Sequence, residues 1–175
     1  MGGRIQRDQF GLWQWSVGHY HVSRCTLWQP DMAVKKWFPT AYIQEKWAEG
    51  YSVTSLAYAD GQWGIVMSQD APYGNQVWQL KNGSPTAYIQ EKWAEGYSVT
   101  SPAYAEGQWG IVMSQDTPYG NQKWRLQNDL PEATIDNAAA DGFAVTNLVY
   151  ADRQWGIVVS EGDVMGRQVF RLMGR

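Results

Sequence analysis

Two duplicated loops carry the residues whose types and spacing best suit recognition chemistry. They read Asp70-Ala71-Pro72-Tyr73-Gly74-Asn75 and Asp116-Thr117-Pro118-Tyr119-Gly120-Asn121. Carboxylates, phenols and planar amides clustered on loops suit sugar recognition, and repeated weak sites gain affinity by multivalency. The candidate ligand contacts are Gln62, Ser68, Asp70, Tyr73 and Asn75 with their twins Gln108, Ser114, Asp116, Tyr119 and Asn121. If these side chains line the tips of hairpins, the protein is a multivalent carbohydrate-binding lectin.

The recurrence of polar residues also has a structural interpretation, and we favour it. Four sets recur in three stretches of the chain: Thr54/Thr100/Thr146, Gln62/Gln108/Gln154, Ser68/Ser114/Ser160 and Gln76/Gln122/Gln168. A buried polar group must be hydrogen-bonded. These side chains are therefore expected to satisfy backbone groups at turns and strand edges between repeated units.

Catalytic and metal-binding chemistry has little support in the sequence. Asp70 and Asp116 are duplicated, but Gly162 replaces them in the third stretch, and no nucleophile–base pair or phosphate-binding Gly-rich loop is present. His19 and His21 make at most two ligands, and the lone Cys25 excludes both a Cys-based zinc site and an internal disulfide. We predict a non-enzyme with no cofactor and no metal.

The elements that must position these loops can be predicted from the central stretch. Pro85 to Gly96 reads as a short helix with Ser84 as N-cap, and Ile89 and Trp93 share the face that contacts a sheet. Tyr97 to Ala105 alternates, with Tyr97, Val99, Ser101, Ala103 and Ala105 expected on one side. Pro102 should face an edge, a bulge or solvent, because proline cannot donate a ladder hydrogen bond.

Two further strands complete the predicted unit. An acidic residue and Gly107 predict a hairpin turn into Trp109 to Met113, a nearly continuous apolar strand that should be the sheet centre. Gln122 to Leu126 is the third strand, with Trp124 and Leu126 facing inward. Each unit is thus predicted to be a helix followed by a three-stranded antiparallel meander.

The chain repeats this unit. Residues 39–82 and 85–128 align over 44 positions with six differences, at an offset of 46 residues, and a diverged copy begins at Pro131. The predicted organisation is a partial first repeat with an insertion at 1–38, then repeats at 39–84, 85–130 and 131–175. The partial repeat is based on the pair Trp13 and Trp28, which are 15 residues apart like Trp63 and Trp78.

The predicted fold class is mainly β, with tandem repeats arranged in a propeller-like manner in about four blades, the first incomplete. Such units cannot bury their apolar faces without neighbours. An open array and the association of two chains into a larger ring remain alternatives. The tryptophans that recur at matching positions are expected to pack in the core, whereas Trp15 and Trp37 have no counterparts and are candidates for exposed ligand contacts.

The repeat resembles a known module. The stretches Ile89 to Ser101, Ala103 to Ala105 and Gly107 to Ser114 are similar to a repeat found in the carboxyl-terminal region of plant casein kinase 1-like proteins and in caspase-like proteins of cyanobacteria and other bacteria. The resemblance covers residues 39 to about 172. It implies a non-catalytic accessory interaction module, without the kinase or caspase domain, and it transfers no catalytic residue.

Charge and hydropathy limit the classes of molecule that we expect the chain to bind. A formal net charge of -3 without blocks of like charge gives no electrostatic footprint for nucleic acid or an anionic membrane. No apolar run approaches the roughly 18 residues of a membrane helix, and the first residues lack a secretory apolar segment. We expect a cytoplasmic scaffold that binds a protein partner or self-associates, with a glycan as the alternative ligand.

Overall fold

The computed structural model describes residues 6–7, 13–14, 31–35, 38–162, 166, 168–171 and 173, with side chains from residue 38 onward. Among these residues the chain is mainly β, with three short helices. The helices are α1 (Thr40–Ala48), α2 (Thr86–Ala94) and α3 (Glu132–Ala140). The strands are β1 (Gln6–Arg7), β2 (Trp13–Gln14), β3 (Asp31–Lys35), β4 (Tyr51–Ala59), β5 (Gln62–Gln69), β6 (Gln76–Asn82), β7 (Ser98–Ala105), β8 (Gln108–Ser114), β9 (Gln122–Gln127), β10 (Phe143–Ala151) and β11 (Gln154–Glu161).

The strands form three small antiparallel sheets with the same order. Sheet 1 is β3-β5-β4, sheet 2 is β6-β8-β7 and sheet 3 is β9-β11-β10, and β1 pairs with β2 separately. The apolar strand lies at the centre of each sheet, as predicted. In sheet 2 this is β8, where Ile111, Val112 and Met113 are fully buried.

The predicted meander within each repeat is wrong, because the third strand leaves its own repeat. β6 follows β5 in the chain but pairs with β8 of the next repeat, and β9 pairs with β11 in the same way. Each sheet therefore consists of an outer strand from the preceding repeat and a hairpin from its own repeat. Successive repeats are joined by backbone pairing as well as by side-chain packing.

A β-bulge at the start of each hairpin corrects the predicted strand faces. In sheet 2 the register shifts between Val99 and Ser101, so Thr100 is the extra residue. Val99 consequently packs in the cluster that contains Ile111, whereas Ala103 and Ala105 pack in the cluster of the preceding unit. The simple alternation from Tyr97 to Ala105 fails because one inserted residue moves the side chains that follow to the other face.

The predicted turns are largely confirmed. Asp60 and Gly61 have φ of 49° and 75°, which fits a tight hairpin turn with both central residues in the left-handed region. Gly96 ends α2 with φ of 83°. The N-cap of α2 is Pro85 rather than Ser84, although Ile89 is fully buried as expected.

The sheets stack through a tryptophan that packs against a glycine. Trp63 on β5 contacts Gly110 on β8, where an added β-carbon would lie 2.9 Å from Trp63 Cη2. Trp109 contacts Gly156 on β11 in the same way, at 2.7 Å. Both tryptophans are buried, which confirms their predicted packing role.

The amino-terminal repeat is only partly described. In sheet 1, Met32 lies opposite Val66, the place that Trp78 and Trp124 take opposite Val112 and Val158. The spacing from Met32 to Trp78 is the regular 46 residues, whereas the predicted match of Trp28 with Trp78 requires an insertion and falls on a residue outside the described part of the chain. Trp28, Trp15, Trp37, Cys25, His19 and His21 lie outside the described residues.

Candidate functional site

Glutamine side chains hold each strand bulge to the next sheet. Gln122 Oε1 accepts hydrogen bonds from Val99 N (2.6 Å) and Trp93 Nε1 (3.2 Å). Its Nε2 donates to Val99 O (3.1 Å) and to Ser160 Oγ (2.9 Å) on β11. Gln122 lies on β9, the outer strand of sheet 3, so its side-chain amide joins a backbone residue at the bulge of sheet 2 to the central strand of its own sheet.

The same arrangement exists one repeat earlier. Gln76 contacts Val53 N, Val53 O, Trp47 Nε1 and Ser114 Oγ at 2.7 to 3.0 Å. The structural interpretation of the recurring Gln and Ser residues therefore holds in both complete interfaces between sheets.

A tyrosine crosses each interface as well. Tyr58 donates to Glu106 Oε1 at 2.5 Å and Tyr104 donates to Asp152 Oδ2 at 3.2 Å. The hydrogen bond to Glu106 raises the pKa of Tyr58, and partial burial followed by the bond to Asp152 raises the pKa of Tyr104. Each sheet thus presents a Trp and a Tyr to the next sheet, which supplies a Gly and an acidic residue. The next sheet also carries a Gln on its outer strand, which bonds the bulge of the preceding sheet and a Ser of its own central strand.

Sheet 3 presents this set with no following sheet among the described residues. Trp155 contacts only Tyr150 among aromatic partners, at 4.7 Å between ring centroids, and Tyr150 is 57% exposed. Gln168 bonds Val145 N and Val145 O, both at 2.7 Å, but has no Ser partner in the described part of the chain. We call Trp155, Tyr150 and Gln168 the open face of sheet 3.

The segment that follows Gln168 is unpaired. Residues 168–171 match β6 and β9 in the repeat but form no strand, and Val169 is 90% exposed. The backbone of this segment therefore offers an unused strand edge beside the open face.

Two cavities flank α3 because its side chains are small. Ala139 replaces Trp93, and a cavity of about 450 Å³ lies there against Phe143, Val145 and Phe170. Thr134 and Ala138 replace Tyr88 and Lys92, and a second cavity of about 450 Å³ lies on that side. The side chains around α3 are therefore less tightly packed than those around α2 in the preceding repeat.

Sheet 1 presents the opposite set. Gly64, Ser68 and Asp60 occupy the positions of Gly110, Ser114 and Glu106. An added β-carbon at Gly64 would meet only Ala57 O, at 3.9 Å. Ser68 and Asp60 have no hydrogen-bond partner among residues whose side chains are described. We call Gly64, Ser68 and Asp60 the receiving face of sheet 1.

The residues predicted for ligand binding do not form one surface. Gln62 and Ser68 lie near opposite ends of β5, about 20 Å apart at roughly 3.3 Å per residue. Gln108 donates to Asn82 Oδ1 at 2.7 Å. Ser114 is fully buried and bonds Gln76 and Thr100, so its predicted place on an exposed hairpin tip is wrong.

The duplicated loops connect sheets and are not hairpin tips, which corrects that prediction. Asn75 donates to Gln115 Oε1 at 3.1 Å, and Asn121 donates to Glu161 Oε2 at 2.7 Å. The Asp116 carboxylate lies where a side chain at Gly74 would have to be. The Asn75 and Asn121 amides of the predicted sugar site are therefore engaged with the neighbouring repeat, and the Asp116 side chain lies against Gly74.

Two phenols of these loops affect each other. Burial, followed by the neighbouring Tyr73 hydroxyl, raises the pKa of Tyr119 well above its usual value. Asp70 is exposed, with φ of 54°. Of the predicted set, Asp70 remains a solvent-facing group without a hydrogen bond among the described residues.

Sequence reasoning did not select Trp155, Tyr150 and Gly64 as functional candidates. The signal was available in the repeat itself, because each occupies the position of a residue that forms an interface elsewhere. What was missing was the knowledge that those positions face the next sheet.

Neither a metal centre nor a membrane span is found in the part of the chain that is described. No group of three or more His, Cys, Asp or Glu side chains within it is placed to hold a metal ion. None of the described helices is long and apolar enough to cross a membrane.

Fold and site together define a stack of small antiparallel sheets in which the last described sheet has an open face and the first a receiving face. The family model of a domain of unknown function, DUF7477, matches residues 20–111 and again residues 104–173. The chain therefore belongs to the DUF7477 family. Searches of curated proteins and of solved structures found no match.

Proposed function

We propose that this chain is a non-enzymatic tandem-repeat scaffold that binds protein, either a partner or a copy of itself, through the open face of sheet 3. The observation that carries the proposal is the set of Trp155, Tyr150 and Gln168. The equivalent residues contact a following sheet in two earlier interfaces, whereas this set meets no following sheet among the described residues. The family match to two successive segments supports tandem repetition.

A propeller-like arrangement is part of the proposal. Strand β4 lies beside β7, and β7 lies beside β10, so the hairpin edges of successive sheets adjoin. Leu56 N donates to Ser101 Oγ at 2.7 Å across the first of these contacts. Sheets that stack face to face with adjoining edges are the units from which propellers are built.

The chemistry of the open face favours protein over a small ligand. Trp and Tyr are enriched in protein interfaces, because they bury a large area and keep a polar group for hydrogen bonding. The unpaired segment 168–171 adds a strand edge, which proteins use to bind other chains by β-augmentation. The accessory role implied by the resemblance to kinase-linked and caspase-linked repeats agrees with such a module.

Site-specific photo-crosslinking tests the proposal. A benzophenone amino acid replaces Tyr150 on the open face, and a matched variant carries it at Gln90, an exposed position on α2. We expect covalent protein adducts, to another copy or to a partner in an extract of source cells, from position 150 and not from position 90. Equal labelling at both positions, or none at 150, would contradict the proposal.

A further inference from the structure

We propose that the occupant of the open face is a second copy of this chain, whose sheet 1 receives the segment Gln168–Arg171 as its outer strand in place of Asp31–Lys35. This inference rests on the proposed function, since it names the protein that binds there. The two copies associate head to tail.

The open face of sheet 3 and the receiving face of sheet 1 are complementary group by group. Trp155 would pack on Gly64 as Trp63 packs on Gly110, and Tyr150 would donate to Asp60 as Tyr58 donates to Glu106. Gln168 would donate to Ser68, as Gln76 donates to Ser114 and Gln122 to Ser160. All three donors are left over at one end of the described stack and all three receivers at the other.

Segment 168–171 suits the outer edge of β5 better than β3 does. It carries Gln168 and Phe170 where β6 has Gln76 and Trp78 and β9 has Gln122 and Trp124. Strand β3 has Met32 at the aromatic position, and two residues before Met32 the sequence has Pro30, where Gln76 and Gln122 stand two residues before Trp78 and Trp124. Proline provides no amide to bond Ser68, so the exchange gains a hydrogen bond and an aromatic packing partner.

The internal interfaces define the register of the exchanged strand. Val77 lies opposite Met113, and Lys123 lies opposite Val159. By the same offset, Val169 of one copy lies opposite Met67 of the other, with Phe170 opposite Val66 and Arg171 opposite Ile65.

Ring geometry points to a second copy and not to closure within one chain. Among the described residues, the three-stranded sheets 1, 2 and 3 would have to close as a three-bladed ring, below the roughly four to eight blades that propellers use. Two copies that exchange strands reciprocally contribute six such sheets from their described residues, which lies within that range. The expected assembly is a closed dimer with two identical interfaces related by a two-fold axis.

Variants that block one end at a time test the inference by light scattering after size exclusion. Gly64→Leu fills the receiving position, where in the single copy an added β-carbon would meet only Ala57 O, at 3.9 Å. Phe170→Pro with Arg171→Pro removes two adjacent amide donors of the exchanged strand, and Phe170→Ala with Arg171→Ala is its matched control. We expect the wild-type chain and the Ala pair to have twice the 19.9 kDa chain mass. Each blocked variant alone should be monomeric.

A mixing experiment gives the sharpest outcome. The Gly64→Leu copy keeps its donor end and the Pro pair keeps its receiving end, so an equimolar mixture should form a heterodimer through one interface although neither variant associates alone. Circular dichroism confirms folding of each variant, and Gly64→Leu keeps the test valid if the Pro pair does not fold.

A monomeric wild-type chain would overturn the inference, as would blocked variants that dimerise like the wild type. In that second case self-association would persist through another surface, and the proposed function would stand without the strand exchange. Crosslinking at position 150 to a different protein, with a monomeric wild-type chain, would likewise overturn the strand exchange and leave the proposed function standing.

Discussion

Gln122→Ala tests whether the recurring glutamines stabilise the stack. The substitution removes the hydrogen bonds to Val99 N, Val99 O, Trp93 Nε1 and Ser160 Oγ. Val99 lies beside the bulge of β7, which is an edge strand of sheet 2, and backbone groups on the outer side of an edge strand have no ladder partner. The loss is therefore expected at the interface between sheets 2 and 3 and within sheet 3.

The expected loss in the free energy of unfolding follows from the number of hydrogen bonds removed. A net value of about 1 kcal/mol each gives roughly 4 kcal/mol for four bonds, and water that enters this half-buried site reduces the cost to about 3 kcal/mol. Gln168 makes two bonds to Val145 at an exposed site, so Gln168→Ala should cost about 1 kcal/mol. Gln76→Ala, which loses the same four contacts as Gln122→Ala, should match it.

Urea unfolding followed by fluorescence, at a concentration where light scattering shows monomers, measures the difference. With a slope of about 2 kcal/mol per molar urea, the midpoints of Gln122→Ala and Gln168→Ala should differ by about 1 M. Equal shifts for all three variants would refute the reasoning, because they would show that the contacts across the interface contribute nothing.

Three further predictions concern packing, pH and ligand binding. Gly156→Ala should lower the free energy of unfolding by about 2 kcal/mol, because its β-carbon would lie 2.7 Å from Trp109 Cη2 and 2.9 Å from Trp124 Cη2. Gly64→Ala, the control, should change the free energy of unfolding little. Thermal melts that rank the two variants equally would contradict this prediction. Burial raises the pKa of Tyr119 in the folded state, so the stability linked to its protonated form is fully present below pH 10 and is lost as the pH rises further. The loss of stability with rising alkaline pH should therefore be less steep in Tyr119→Phe. An unchanged dependence of stability on pH would count against this prediction. On a glycan array the chain should give no signal that depends on Asp70 and Asp116, because the neighbouring Asn75 and Asn121 amides are hydrogen-bonded to Gln115 and Glu161. Glycan binding that is lost in the double variant Asp70→Ala with Asp116→Ala would support the lectin hypothesis instead.

Much of the fold could be predicted because it depends on local patterns. Glycine after a helix and an acidic residue before glycine favour a left-handed backbone conformation, which placed the end of α2 and the hairpin turns correctly. The apolar run Trp109 to Met113 identified the central strand, since such a run must be covered on both faces. These signals lie within about ten residues of the structure that they specify.

Pro102 shows where local reasoning reaches its limit. The prediction that it faces an edge is confirmed, because β7 is an edge strand of sheet 2. Its twin Leu56 donates an N–H to Ser101 Oγ of the next sheet, which proline cannot do. Asn147, the counterpart of Ser101 in sheet 3, is left with a buried Nδ2 atom that has no hydrogen-bond partner. That consequence appears only when the neighbouring sheet is known.

The pairing of the third strand could not be predicted for a different reason. Two repeats that differ at six of 44 positions offer almost identical central strands, so β6 would make nearly the same contacts with β5 as with β8. The sequence pattern is therefore degenerate with respect to which copy a strand joins, and the register of the native pairing fits either choice. The same degeneracy extends beyond one chain, because β5 of a second copy is an equally suitable partner for residues 168–171. The near identity of the central strands, which prevented a prediction of the strand order, is thus also the physical basis for the proposed exchange of strands between copies.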